Sequence, residues 1–193
     1  MAKRKVENRA RLLETAVRLF GKHGFHATTV PMIVKAAGAS TGSFYLHFRN
    51  KEDVFAAALD SFGARIAAAL NEAIDAAGSE PALKMRAAVE RLVTFMAENP
   101  DEARILIVET SGLGGRLQQI RRRIVDSHAH AVEAALPLLN PKLDAPVVAR
   151  CWVGAVYETV FHWLEQPAGR RPAADRVAGA VADFNLGGSQ SLT

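Results

Sequence analysis

A chain of 193 residues, 49% of them hydrophobic and with a net charge of +4, is too apolar to be disordered and long enough to bury a sizeable core. A single cysteine excludes an internal disulfide and fits a reducing compartment. The basic N-terminus has no apolar stretch behind it and no run nears the ~20 apolar residues that span a bilayer, so a cytoplasmic location without membrane contact is expected. The charge is uneven: residues 1–51 hold ten Lys/Arg against Glu7 and Glu14, whereas the rest of the chain carries more acid than base. A basic head on a mildly acidic body points to a polyanion at one end, or to a solvated basic face.

No clean two-residue alternation occurs, alanine is abundant, and prolines separate apolar-periodic runs, so the chain reads as all-α. Lys3, Arg4 and Lys5 form a basic arm, either backbone-tracking or merely solvating. Leu12, Leu13, Ala16, Leu19 and Phe20 then define an amphipathic helix, with Gly24 placed to end it. Thr29 is the expected N-cap of a second, short helix, with Pro31 in its first turn and Gly38 at its end. Ser40 caps a third helix from Thr41 to about His47. Asn50 caps a long fourth helix, with Asp53 three residues on, as in a capping box. Its stripe runs from Val54 through Phe62, Ile66 and Leu70 to Ile74, and mid-helix Gly63 serves either a bend or a close neighbour. Further helices are expected near 82–98, 101–111, 115–138, 143–165 and 172–186, about nine in all. Two short helices joined by a Gly-containing turn, the second with polar residues outward, form a helix-turn-helix pattern.

The run Thr28-Thr29, Ile33, Ala37-Gly38-Ala39-Ser40, Gly42-Ser43, Phe44-Tyr45, His47-Phe48, Asn50-Lys51-Glu52, Val54 resembles the DNA-binding domain of the tetracycline-repressor (TetR) family. The likeness extends from about Leu12 to Phe55, with Ala39 and Pro31 as mild departures. It implies a three-helix DNA-binding domain over residues 1–51. The long fourth helix joins this to an effector-binding and dimerisation domain over 52–193. It also implies that residues 40–47 lie in a major groove. The chemistry agrees: Ser40, Thr41 and Ser43 are short hydroxyls at a helix N-terminus, Gly42 lets the backbone approach, and Tyr45 and His47 can reach sugar or phosphate. Thr29 and Lys51 are expected at backbone phosphates, and Phe44 and Phe48 in the core.

In the C-terminal part, helix 143–165 is apolar nearly all round, and Val177, Val181 and Phe184 form a stripe on the last helix. Val148, Ala155, Thr159, Val177, Val181 and Phe184 are therefore candidates for a four-helix dimer interface, where the family places it, or for packing within one subunit. The resemblance also implies an effector pocket among the middle helices, with Phe62, Phe95, Met96, Leu106, His128 and Trp152 as candidates and a hydrophobic or amphipathic ligand. The resulting expectation is a ligand-responsive repressor that binds a pseudo-palindromic double-stranded operator as a homodimer, without cofactor or metal. The alternative is an activator or a constitutive binder of the same fold. Enzyme chemistry has no support: His128 and His130 diverge by ~200° around a helix, and Cys151 and His162 lie three turns apart.

Overall fold

A computed structural model of the chain describes residues 2–110 and 112–190, with side chains over 6–110 and 112–189. The side chains of Lys3, Arg4 and Lys5 lie outside the described residues. The described elements are helical throughout: α1 (Ala2–Ala27), α2 (Val30–Ala36), α3 (Thr41–Tyr45), α4 (Lys51–Ala76), α5 (Pro81–Glu98), α6 (Pro100–Arg104), which continues as a π-helical turn over Ile105–Glu109, α7 (Gly115–Leu139), α8 (Ala145–Glu165) and α9 (Ala174–Gln190). The chain divides into two compact units, Met1–Phe62 with Pro100–Arg121, and Gly63–Asn99 with Arg122–Thr193. This division differs from a cut after residue 51: the first turns of α4, together with α6 and the π-helical turn, belong with the N-terminal helices.

The N-terminal unit is built on phenylalanines. Leu12, Ala16 and Phe20 of α1 are fully buried with Ile33, Phe44, Val54 and Phe55. Phe55 meets Phe20 and Phe25 edge-on, each at 5.0 Å between ring centres, and each such side chain contributes roughly 1.5–3 kcal/mol by burial. Gly24, at φ 80°, interrupts α1 where the sequence places its end. The next amide, Phe25 N–H, donates to Glu109 of the π-helical turn at 2.9 Å. Thr28, wholly buried, donates to the Gly24 carbonyl at 2.8 Å.

In the second unit α5 packs most extensively against α9 and also against α8. Arg86 pairs with Asp183 at 2.6 Å and Arg150 with Asp126 at 2.5 Å. A buried polar relay joins α8 to α9: Trp152 Nε1 donates to Ser189 Oγ at 3.0 Å, and that hydroxyl donates to the Asn185 carbonyl at 3.0 Å. The Gly63 alternatives resolve in favour of a close neighbour. A Cβ there would fall 2.9 Å from both Cδ1 and Cγ1 of Ile124 on α7.

Candidate nucleic-acid interface and effector cavity

Local hydrogen bonds set the geometry of the helix-turn-helix. The Met32 amide donates to Thr29 Oγ1 at 3.4 Å, with Pro31 in the first turn of α2. Gly38 adopts φ 58°, the left-handed conformation open to glycine, and the chain leaves α2 there. Ser40 Oγ then accepts from the Ser43 amide at 3.1 Å and starts α3. Asn50 Oδ1 accepts from the Asp53 amide at 2.8 Å and starts α4. The capping-box expectation needs one adjustment, since the Asp53 carboxylate reaches the amide of Arg49, one residue before the cap, at 3.2 Å.

These caps place Thr41, Gly42 and Tyr45 on the exposed side of α3, with Ser43 and His47 half-buried beside them. Phe44 and Phe48 point inward, at 0% and 4% exposure. A Cβ on Gly42 would meet only Ser40 Oγ, at 4.0 Å, and its φ is not positive. The fold itself therefore makes no demand for glycine there. Leu46, which sequence reasoning passed over, is 72% exposed beside Tyr45 at 56%. Its position midway between two inward phenylalanines was the available signal.

Lys51 is engaged within the chain. Its ammonium donates to the carbonyls of Phe25 at 2.7 Å and His26 at 3.4 Å, and sits 4.2 Å from the centre of the Phe25 ring. A third N–H is left for another acceptor. Thr29 and Ser40 likewise use their oxygens as caps and keep their hydroxyl protons. A polar cleft of about 450 Å³ opens beyond the C-terminal end of α3, with Arg9, His47, Arg49, Asp53, Asp60 and Arg116 in its lining. Arg49 and Arg116 both pair with Asp53, at 3.1 and 2.8 Å. The Arg49 amide and then the Arg116 guanidinium hold that carboxyl below its ordinary pKa. Charge counting located the basic head but not this cleft.

The second unit contains an apolar cavity of about 240 Å³ between the end of α4, the start of α5, the end of α7, and Trp152 of α8. An inner chamber of about 80 Å³ shares Ile74, Ala88, Val89, Ala131, Val132 and Trp152 with it and reaches His128. Of the six effector candidates, only Trp152 and His128 line this space. Phe95 lies against the guanidinium groups of Arg65 and Arg91 instead, 5.5 and 4.9 Å from its ring centre. Met96 is wholly buried outside the lining, and Phe62 and Leu106 belong to the core of the N-terminal unit. The small residues that make the space, Ala88, Ala131 and Ala135, carry no chemical signature in the sequence. His128 Nδ1 lies 3.1 Å from the Tyr157 hydroxyl, and burial holds the imidazole pKa down at about 4, so the ring is neutral near pH 7.

A groove of about 480 Å³ runs between α8 and α9. Its lining includes Ala155, Thr159, Val177, Val181 and Phe184, five of the six interface candidates, while half-buried Val148 lies outside it. Phe184 is 72% exposed and Val181 only 7%. The apolar girth of α8 is covered on one side alone within the chain: Trp152, Val156, Tyr157 and Val160 are buried, whereas Val147, Cys151 and Gly154 are exposed.

The caps, the glycine turn and the outward polar face of α3 are those of a DNA-binding helix-turn-helix, and the chain belongs to the bacterial regulatory proteins of the tetR family, whose model matches residues 12–58. It is a transcriptional regulator, in a family of regulators rather than enzymes. It is 30% identical over 162 residues to YdgC, an uncharacterized HTH-type transcriptional regulator of Bacillus subtilis (strain 168), covering 81% of this chain and 80% of that one. Its fold matches the transcriptional regulator FadR from Bacillus subtilis in complex with stearoyl-CoA, at a TM-score of 0.80 and 20% identity over 93% of this chain and 98% of that one. AibR in complex with isovaleryl coenzyme A and operator DNA matches at 0.77 and 20% identity, over 92% and 97%. Likenesses at this identity show the fold alone.

Proposed function

We propose that the protein is a ligand-responsive repressor that binds a pseudo-palindromic operator as a homodimer and is released by a hydrophobic or amphipathic effector. Residues 1–51 serve DNA binding, and residues 52–193 serve effector binding and dimerisation. Gly42 carries the DNA assignment. It is exposed on a short helix, in open space and without positive φ, where alanine would favour the helix by up to ~1 kcal/mol. A glycine the fold does not need is explained by a surface that must come close to it. Thr41, Ser43 and Tyr45 then face base edges and sugar, while Thr29, Ser40, His47 and Lys51 take phosphates, which orient without specifying sequence. Two copies joined through the α8–α9 groove would present two such helices to successive half-sites. The apolar cavity supports the effector, and the acyl-coenzyme A thioesters bound to FadR and AibR favour an acyl-bearing one.

Selection of bound genomic fragments by the purified protein supplies the operator for the test. Gly42→Ala is expected to leave the fold as stable or slightly more so while weakening operator binding. Unchanged affinity would remove the contact. Lys51→Ala should reduce binding to all sequences and the salt slope by about one unit, whereas Thr41→Ala should change base preference. Phe184→Glu, at an exposed site, should convert a dimer to a monomer in light scattering.

A further inference from the structure

We infer that the effector is an anionic amphipath whose acidic head pairs with Lys84 at the cavity mouth and whose alkyl tail points inward past Ala88 towards His128. The inference rests on the effector-cavity reading above. Lys84 is the one charged side chain in the lining of either chamber among the described residues. It is half-buried and forms no ion pair or side-chain hydrogen bond with any described residue. Glu80, one turn earlier, begins α5 without using its carboxylate as a cap and makes no bridge to Lys84. An unpaired ammonium beside an apolar opening is complementary to a carboxylate or another acidic group.

The rest of the lining fixes the orientation. The lining near the lysine also holds Pro81, Ala135 and Leu138, the last 69% exposed, with Ser79 as the one other polar side chain there among the described residues. Inward, Ala88, Val89, Val132 and Trp152 give way to Leu92, Val153 and Val156. Along α5, Lys84 and Leu92 are separated by about 12 Å at ~1.5 Å per residue, a length suited to a medium alkyl chain. Among the described residues lining the smaller chamber the one titratable group is His128, kept uncharged by burial. A charged head placed there would go unpaired at a cost of several kcal/mol. The Trp152 indole N–H is committed to Ser189, on α9, so its ring meets the ligand as an apolar wall.

The test compares decanoate, decanol, decyltrimethylammonium and decanoyl-CoA by calorimetry on the full chain. Decanoate, decanoyl-CoA or both should bind at least about fivefold more tightly than the neutral and cationic amphipaths, and Lys84→Ala should abolish that advantage without loss of decanol binding. Lys84→Glu should invert the order in favour of decyltrimethylammonium. Preference for decanoate identifies a free acid as the source of the head, and preference for decanoyl-CoA a thioester. Equal binding of all four, or an anionic preference that survives Lys84→Ala, overturns the head-group assignment while leaving the cavity intact. Binding of none overturns the effector-cavity reading itself. Ala88→Phe, and independently Ala131→Phe, should block every probe while thermal unfolding stays cooperative; a folded variant of either kind that still binds would overturn the path of the tail.

Discussion

Helices α3 and α8, proposed above for DNA recognition and for pairing of two copies, solve opposite problems. Five residues long, α3 is far below the length at which a helix holds itself together. It persists because Gly38 turns the chain, Ser40 caps its start, and Phe44 and Phe48 anchor its inner side. Its outer side can be polar and aromatic because nothing within the chain requires otherwise. By contrast, α8 runs for 21 residues and is apolar nearly all round. Its shape is secure; what has to be specified is which neighbour covers which face. Trp152, Val156 and Val160 are covered by the chain itself, and the groove along Ala155 and Thr159 is left open. Short-range hydrogen bonds thus build the nucleic-acid surface, and the fit of distant side chains builds the cavity and the groove.

The sharpest way to break this contrast is Trp152→Ala. If the cavity wall is also core, loss of the buried ring and of its bond to Ser189 should cost about 3–5 kcal/mol in urea unfolding. A loss under ~1 kcal/mol would show that the wall is merely lining.

Acid titration probes the same region. The folded pKa of His128 lies at about 4 against an ordinary 6.5, because burial penalises the charged ring. The unfolded chain therefore binds the extra proton. Stability is intact above the unfolded value and falls as pH drops from 6.5 toward about 4, by about 2 kcal/mol at roughly pH 5. Unfolding followed across this range should show the loss, and His128→Gln should flatten it. An unchanged slope in the variant would assign the pH dependence elsewhere.

Gly63→Ala comes next. The crowding against Ile124 should cost about 1–3 kcal/mol, offset by up to ~1 kcal/mol of helix propensity, so a net loss of about 1 kcal/mol is expected. A gain would mean that Ile124 rotates away freely. The smallest effect is expected in α3. Ser40→Ala removes a cap worth ~0.5–1 kcal/mol at this exposed site, and it should weaken binding to operator and random DNA together. A change in base preference alone would make Ser40 a reader of sequence instead.

The legibility of each region follows from the same physics. Thr29, Gly38, Ser40 and Asn50 act within four residues of their own positions, so their spacing is visible in the sequence and their hydrogen bonds occur as expected. The helices of the second unit are legible to within a few residues, because Pro100 and Pro141 punctuate the chain locally, but α9 runs on through Gly187 and Gly188 to Gln190, past its expected end at 186. Site residues in that unit were not legible in the same way. That Phe95 lies under the Arg65 guanidinium and that Ala88 lines a cavity depend on what α4, α7 and α8 bring from far along the chain, and of these contacts only that of Arg91, one turn before Phe95, is local. Asn185 and Ser189 carry no signal of their own in the sequence, and become a buried relay only once Trp152 is beside them. Leu46, by contrast, was readable from the positions of Phe44 and Phe48.

The bracing of Lys51 against the Phe25 and His26 carbonyls bears on the thermodynamics of the phosphate contact proposed for it. A free lysine gives up as much as ~2 kcal/mol of rotamer entropy when a phosphate immobilises it. Here much of that ordering has already occurred on folding, in a side chain held over an aromatic ring with one N–H still to place. Contact with a phosphate then requires little further loss of motion, and the associated entropy change should be smaller than for a lysine on an open helix face. Lys51 would arrive at the duplex preorganised, its disorder removed before any DNA is present.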